Sequence, residues 1–75
     1  MNIKKTLDAR ALACPMPVVR ARKEMKTIET GEVLEIQVTD RGALLDIPAW
    51  AQSTGHNIVN QHEKDGVINF YIEKG

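Results

Sequence analysis

Leu7-Asp8-Ala9-Arg10-Ala11-Leu12-Ala13-Cys14-Pro15-Met16-Pro17-Val18 joins two segments of different hydrophobic period, and that change decides the fold. Before it, Ile3, Lys5 and Leu7 fall on one strand face and Lys4, Thr6 and Asp8 on the other, a period of two that predicts a short first strand. After it, Val18, Ala21, Met25 and Ile28 recur at helical spacing, with Arg20, Lys23, Glu24 and Thr27 largely between them. This predicts an amphipathic helix to about Glu29, with Gly31 marking the turn out. The two prolines fit only at a helix start, where backbone donors lack internal partners. Pro15 is therefore expected as the first helical residue and Cys14 as the N-cap, since a residue before proline favours an extended backbone.

The rest of the chain repeats the alternation of strand and helix. Leu34, Ile36 and Val38 alternate with Glu35 and Gln37, which predicts a strand with one face to the core and one to water. Pro48 is best placed within the first turn of a second helix, which puts the N-cap near Asp46. Ile47, Trp50 and Ala51 then share a face, and Gly55 serves as a left-handed C-cap. His56–Glu63 and Val67–Ile72 flank Lys64-Asp65-Gly66, a hairpin signal, with Ile68, Phe70 and Ile72 facing inward. The order βαβαββ predicts an α/β two-layer sandwich: a mixed four-stranded sheet with two helices on one face and right-handed crossovers.

Seventy-five residues allow one domain, expected to span the whole of residues 1–75, with little room for an enclosed active site. A hydrophobic content of 43% with 27% charged residues suits a folded domain and not a disordered one. Ten basic and ten acidic residues cancel, which argues against direct nucleic-acid binding through many phosphates. Met1-Asn2-Ile3-Lys4-Lys5 is followed by no apolar run, and no segment approaches the ~20 apolar residues of a spanning helix, so neither export by that route nor membrane insertion is expected. The single cysteine cannot form an internal disulfide and survives best in a reducing compartment, which makes the cytoplasm the expected location.

Cys14 is the candidate reactive group. A sulfur at a helix start faces the positive end of the helix dipole, so its pKa is expected below the free value of about 8.5. The missing amide hydrogens of Pro15 and Pro17 leave Met16 and Val18 as the free donors of the first turn, which limits the shift. Arg20, Arg22, Lys23 and Lys26 form either a solvated helix face or a surface that docks an acidic partner. Asp40 is a turn or capping residue or part of that partner surface. His56 and His62 share no metal-ligand spacing with Cys14. Trp50 is expected in the core.

Cys14-Pro15-Met16-Pro17, together with Leu7-Asp8, Leu12, Gly31-Glu32, Asp40, Asp46-Ile47, Trp50 and Gly55-His56, resembles the TusA-like (SirA-like) sulfur-carrier family over nearly the whole chain. The resemblance implies a persulfide carrier, a sulfurtransferase in the loose sense. Cys14 would accept sulfane sulfur from a cysteine desulfurase or similar donor and pass it to an acceptor protein. Pro15, Met16 and Pro17 complete the motif, and Arg22, Lys23, Asp40 and Arg41 are candidate docking residues. No cofactor is implied, and a monomer is expected. The family commonly has glycine where this chain has Ala11, and often proline after the aspartate where this chain has Arg41-Gly42. The first change stiffens the approach to Cys14; the second alters the loop after strand two and bears on partner choice. With no second cysteine, release of sulfur must be intermolecular, which also argues against a thioredoxin-like oxidoreductase. Alternative readings are a redox-sensing or transporter-docking regulatory module, or a carrier for selenium. The end product, whether thiolated tRNA, molybdenum cofactor or oxidised sulfur, stays open.

Overall fold

A computed structural model describes residues 3–75; Met1 and Asn2, part of the basic start discussed above, lie outside the described residues. The elements are β1 (Ile3–Ala9), α1 (Met16–Met25), β2 (Val33–Val38), α2 (Ala43–Thr54), β3 (Asn57–Lys64) and β4 (Val67–Glu73). They build the expected mixed four-stranded sheet, in the order β1-β2-β4-β3, with β1 and β2 parallel and β4 antiparallel to both of its neighbours.

The register explains why one sheet face is apolar. Leu7, Ile36 and Phe70 form one row across β1, β2 and β4, and Ala9, Val38 and Ile68 form the next. All six are buried, and they meet Ala21 and Met25 of α1 and Ile47, Trp50 and Ala51 of α2 in one core. Pro17 is also fully buried, so the second proline of the motif is a packing residue as well as a helix-start residue. At the β1 edge half-buried Lys5 sends Nζ to Thr27 Oγ1 (2.7 Å) and Glu24 Oε1 (3.3 Å). The opposite face is polar: Glu35 accepts hydrogen bonds from Thr6, Gln37 and Asn69.

The hairpin forms as expected. Asp65 (φ 53°) and Gly66 (φ 78°) both take positive φ between the paired residues Lys64 and Val67, the geometry that a two-residue turn of type I′ requires. Gly55 (φ 81°) ends α2, with its own N–H and that of His56 returning to the carbonyls of Gln52 (3.3 Å) and Ala51 (2.9 Å).

Three helix boundaries differ from the sequence expectation, and the hairpin strands shift by a residue at their ends, to Asn57–Lys64 and Val67–Glu73. Helix α1 stops at Met25 and not near Glu29, because both the N–H (3.0 Å) and the hydroxyl (2.6 Å) of Thr27 bond the Glu24 carbonyl and turn the chain. Ile28 still reaches the core, from the turn. At the other end Pro15 occupies the N-cap and Met16 is the first helical residue, so Cys14 lies one position outside the helix. Helix α2 begins at Ala43, with Gly42 at the N-cap and Asp46 inside the first turn. The cause is Asp40, whose carbonyl accepts from Ala43 N–H (3.1 Å) and whose carboxylate accepts from Gly42 N–H (3.1 Å). Pro48 then falls inside the helix, where it cannot give Leu44 the usual backbone bond. No helix among the described residues is long and apolar enough to cross a membrane.

Candidate functional site

The loops after β1 and β2 lie side by side at the carboxyl ends of two parallel strands, the position where open α/β sheets bind their ligands. Residues 10–15 form the first of these loops and carry Cys14, which is exposed. The loop is fixed by hydrogen bonds to side chains from outside it. Asp8 accepts from Arg10 N–H (3.1 Å) and from its guanidinium (2.9 Å twice), which holds the Asp8 carboxyl down to about 2. Ala11 takes a left-handed conformation (φ 66°) and donates its N–H to Thr39 Oγ1 (2.9 Å). Cys14 donates its N–H to Asp40 Oδ2 (2.6 Å). Hydrogen bonds from the amides of Cys14 and Gly42 hold the Asp40 carboxyl below its ordinary range. Asp40 therefore ties the Cys14 loop to the start of α2.

The thiol itself meets a second carboxylate. Cys14 Sγ donates to Asp46 Oδ2 from the first turn of α2. This corrects the expectation of a depressed pKa. The hydrogen bond to Asp46, local loss of water, and the negative charges of Asp46 and Asp40 push the Cys14 thiol above its ordinary value. The helix start offers little against this, because Cys14 lies one position outside α1 and Met16 N–H, one of the two first-turn donors left by the prolines, is taken by the Ala13 carbonyl (2.9 Å). The cations of the two loops are also occupied, Arg10 by Asp8 (2.9 Å) and Arg41 by Glu63 (2.8 Å).

The structure thus brings Cys14, Pro15, Met16, Pro17 and Asp40 together, with Arg41 on the same loop as Asp40 but turned to β3. Arg22 and Lys23 stand in the last turn of α1, about 9 Å along the helix axis from Met16. Arg22 there lines a cavity of about 160 Å³ with Met25, Lys26, Trp50, Thr54, His56 and Lys74. His56 is neutralised more readily than usual, by burial and the nearby Lys74 charge. Asp46 is the residue whose contact with sulfur the sequence reading missed, having assigned it to capping. In the first turns of the two helices the apolar side chains of Met16, Val19 and Leu45 remain in solvent, Leu45 at 77% exposure.

Comparison with known proteins places the chain. The family model described as sulfurtransferase TusA matches residues 5–74. YrkI of Bacillus subtilis is 45% identical over 75 residues, the whole of both chains. The sulfur carrier protein TusA of Allochromatium vinosum is 38% identical over 73 residues, covering 97% of this chain and 96% of that one. A crystal structure of a SirA-like protein from Desulfitobacterium hafniense superposes with a TM-score of 0.84 at 33% identity, over 95% of this chain and 97% of that one. With fold and sequence agreeing over almost its full length, the chain belongs to the TusA family.

Proposed function

We propose that the protein is a sulfur carrier that holds sulfane sulfur as a persulfide on Cys14. The observation that carries this reading is the exposed Cys14 on a loop tied at Ala11 and at Cys14 itself to the adjacent residues Thr39 and Asp40, in a chain of the TusA family. An exposed sulfur on a rigid edge can enter the active site of a larger partner; this domain has no room to enclose a substrate of its own.

The chemistry needs only the Cys14 thiolate and the donor's persulfide. The Cys14 thiol loses its proton to solvent, and the thiolate attacks the terminal sulfur of a persulfide on a cysteine desulfurase or similar donor. One S–S bond forms to Cys14 as the donor's S–S bond breaks, and the donor cysteine leaves as a thiolate. Delivery is the same exchange in reverse: an acceptor thiolate attacks the outer sulfur and the Cys14 thiolate leaves. Cys14 is the sole cysteine, so no second thiol of the same chain can discharge it. Met16 and Val19 in the first turn of α1 and Leu45 in the first turn of α2 offer the donor exposed apolar surface at the end of the helical layer that carries the sulfur.

The test is intact-mass spectrometry after incubation with a cysteine desulfurase and cysteine. A gain of one sulfur on Cys14, reversed by adding excess free thiol, is expected. A mass that never changes under conditions where the desulfurase itself becomes persulfidated would refute the reading.

A further inference from the structure

The charges around Cys14 are arranged against its ionisation. From α2 the Asp46 carboxylate accepts the thiol hydrogen bond, and from the β2–α2 loop the Asp40 carboxylate stands beside the Cys14 backbone. The first turn of α1, from Met16 to Val19, brings no charged side chain. The two cations that the neighbouring loops could offer are each held by another carboxylate, Arg10 by Asp8 and Arg41 by Glu63. Among the described residues the charges that act on the sulfur are therefore the two carboxylates, and the cations of the neighbouring loops are paired elsewhere, although the chain as a whole is neutral.

A thiol held in this way attacks slowly, because the thiolate and not the thiol is the nucleophile. We propose that Asp46 is a positioning residue that keeps the Cys14 thiol protonated and oriented in the free protein, and that a sulfur partner releases it by bringing a cationic side chain to Asp46. The incoming cation turns the carboxylate from a hydrogen-bond acceptor for the thiol into half of an ion pair. The proton passes to solvent and the thiolate is left facing the partner's sulfur. In the free protein the same contact protects an exposed lone thiol from adventitious electrophiles. The partner's share of this proposal rests on the sulfur-carrier reading. The Asp46 share does not.

The test uses reagents that contain no sulfane sulfur, so its outcome is independent of sulfur loading. Alkylation of Cys14 by iodoacetamide is followed against pH for the unmodified protein, Asp46→Asn and Asp46→Glu, with circular dichroism to establish the fold. Asp46→Asn should move the titration midpoint down and speed alkylation at neutral pH roughly three- to tenfold, the gain in thiolate being partly offset by its lower basicity. Asp46→Glu, which keeps the charge, should stay nearer the unmodified protein than Asp46→Asn does. An unchanged profile in a folded Asp46→Asn overturns the proposal.

Should Asp46→Asn fail to fold, the unmodified protein still decides the matter. Its midpoint should lie above the free-cysteine value of about 8.5 and fall as salt screens the carboxylates. A midpoint at or below that value overturns the proposal. The partner's share is read from disulfide exchange: cationic cystamine should react roughly tenfold faster than anionic dithiodiglycolate at low salt, with hydroxyethyl disulfide between them. Equal rates for the three would remove the cationic partner from the account.

Discussion

The two ends of the helical layer are held by different forces. At the end where α1 and α2 begin, the loops are fixed by polar contacts: Thr39 to Ala11, Asp40 to Cys14 and Gly42, Asp46 to the sulfur. At the end where they finish, Trp50 is 8% exposed, its ring 5.4 Å from that of His56, with Met25 buried beside it and Arg22, Lys26 and Lys74 around the rim. The first end is acidic around an exposed thiol, and the second is basic around a buried indole. Stability and chemistry are thus separated along the helices. The core can be optimised for packing at one end without constraining the sulfur at the other.

The largest effect expected from this division is at the packed end. Trp50→Ala should destabilise the domain by roughly 3 to 5 kcal/mol, through lost burial and the cavity left behind. In a domain of this size that can exceed the whole stability margin, and denaturant titration measures it. A loss under about 1 kcal/mol would mean that the indole is a surface contact and that the two ends are not divided in this way.

A smaller and different effect is expected from the basic rim. Arg22 and Lys23 make no ion pair among the described residues, and they stand far enough from Cys14 to leave its intrinsic reactivity alone. We propose that they steer an acidic surface of the donor. Reversing both to glutamate should slow association with a cysteine desulfurase roughly tenfold at low salt and much less at high salt, with alkylation by iodoacetamide unchanged. Unaltered stopped-flow association rates at low salt would make these side chains no more than a solvated helix end.

The smallest effect is expected at the polar end, from Ala11. Its left-handed conformation costs an alanine about 1 to 2 kcal/mol, and glycine would remove that cost while losing about 0.5 to 1 kcal/mol to greater freedom in the unfolded chain. Ala11→Gly should therefore stabilise the domain by about 0.5 to 1 kcal/mol in urea titrations. A destabilised variant would show that the Ala11 methyl makes a contact worth more than its strained backbone. The positive φ also gives a physical reason why glycine suits this position better than alanine.

The elements that could be read from the sequence are those whose cause is local. Asp65-Gly66 supplies both positive-φ residues of its own turn, Gly55 supplies its own cap, and Leu34, Ile36 and Val38 point inward by alternation alone. Even Ile28 was correctly assigned to the core, though the helix that was to carry it ends at Met25. The motif around Cys14 placed the thiol in an exposed loop at the start of α1, as the structure has it, but the state of the thiol was not legible. It depends on contacts to Asp40 and Asp46, which are 26 and 32 residues away in the chain. Neither carboxylate lies near Cys14 in sequence, and the bond from the Met16 amide to the Ala13 carbonyl forms only in the folded loop. The start of α2 was misplaced for a related reason. Asp46 looked like a cap because Pro48 follows it, whereas Gly42 holds the N-cap position and Asp40 fixes the turn before the helix by accepting from the N–H groups of Gly42 and Ala43.

The central claim is that Cys14 carries the sulfur, and labelling with radioactive cysteine tests it most directly. The protein and its Cys14→Ser variant are each incubated with a cysteine desulfurase and labelled cysteine, then separated under non-reducing conditions. Serine is close in size at an exposed loop position, so circular dichroism should show the same fold for both. The account predicts label on the unmodified protein, stripped by dithiothreitol, and none on Cys14→Ser. Label retained by a folded Cys14→Ser, or an unmodified protein that stays unlabelled beside a persulfidated desulfurase, would contradict it.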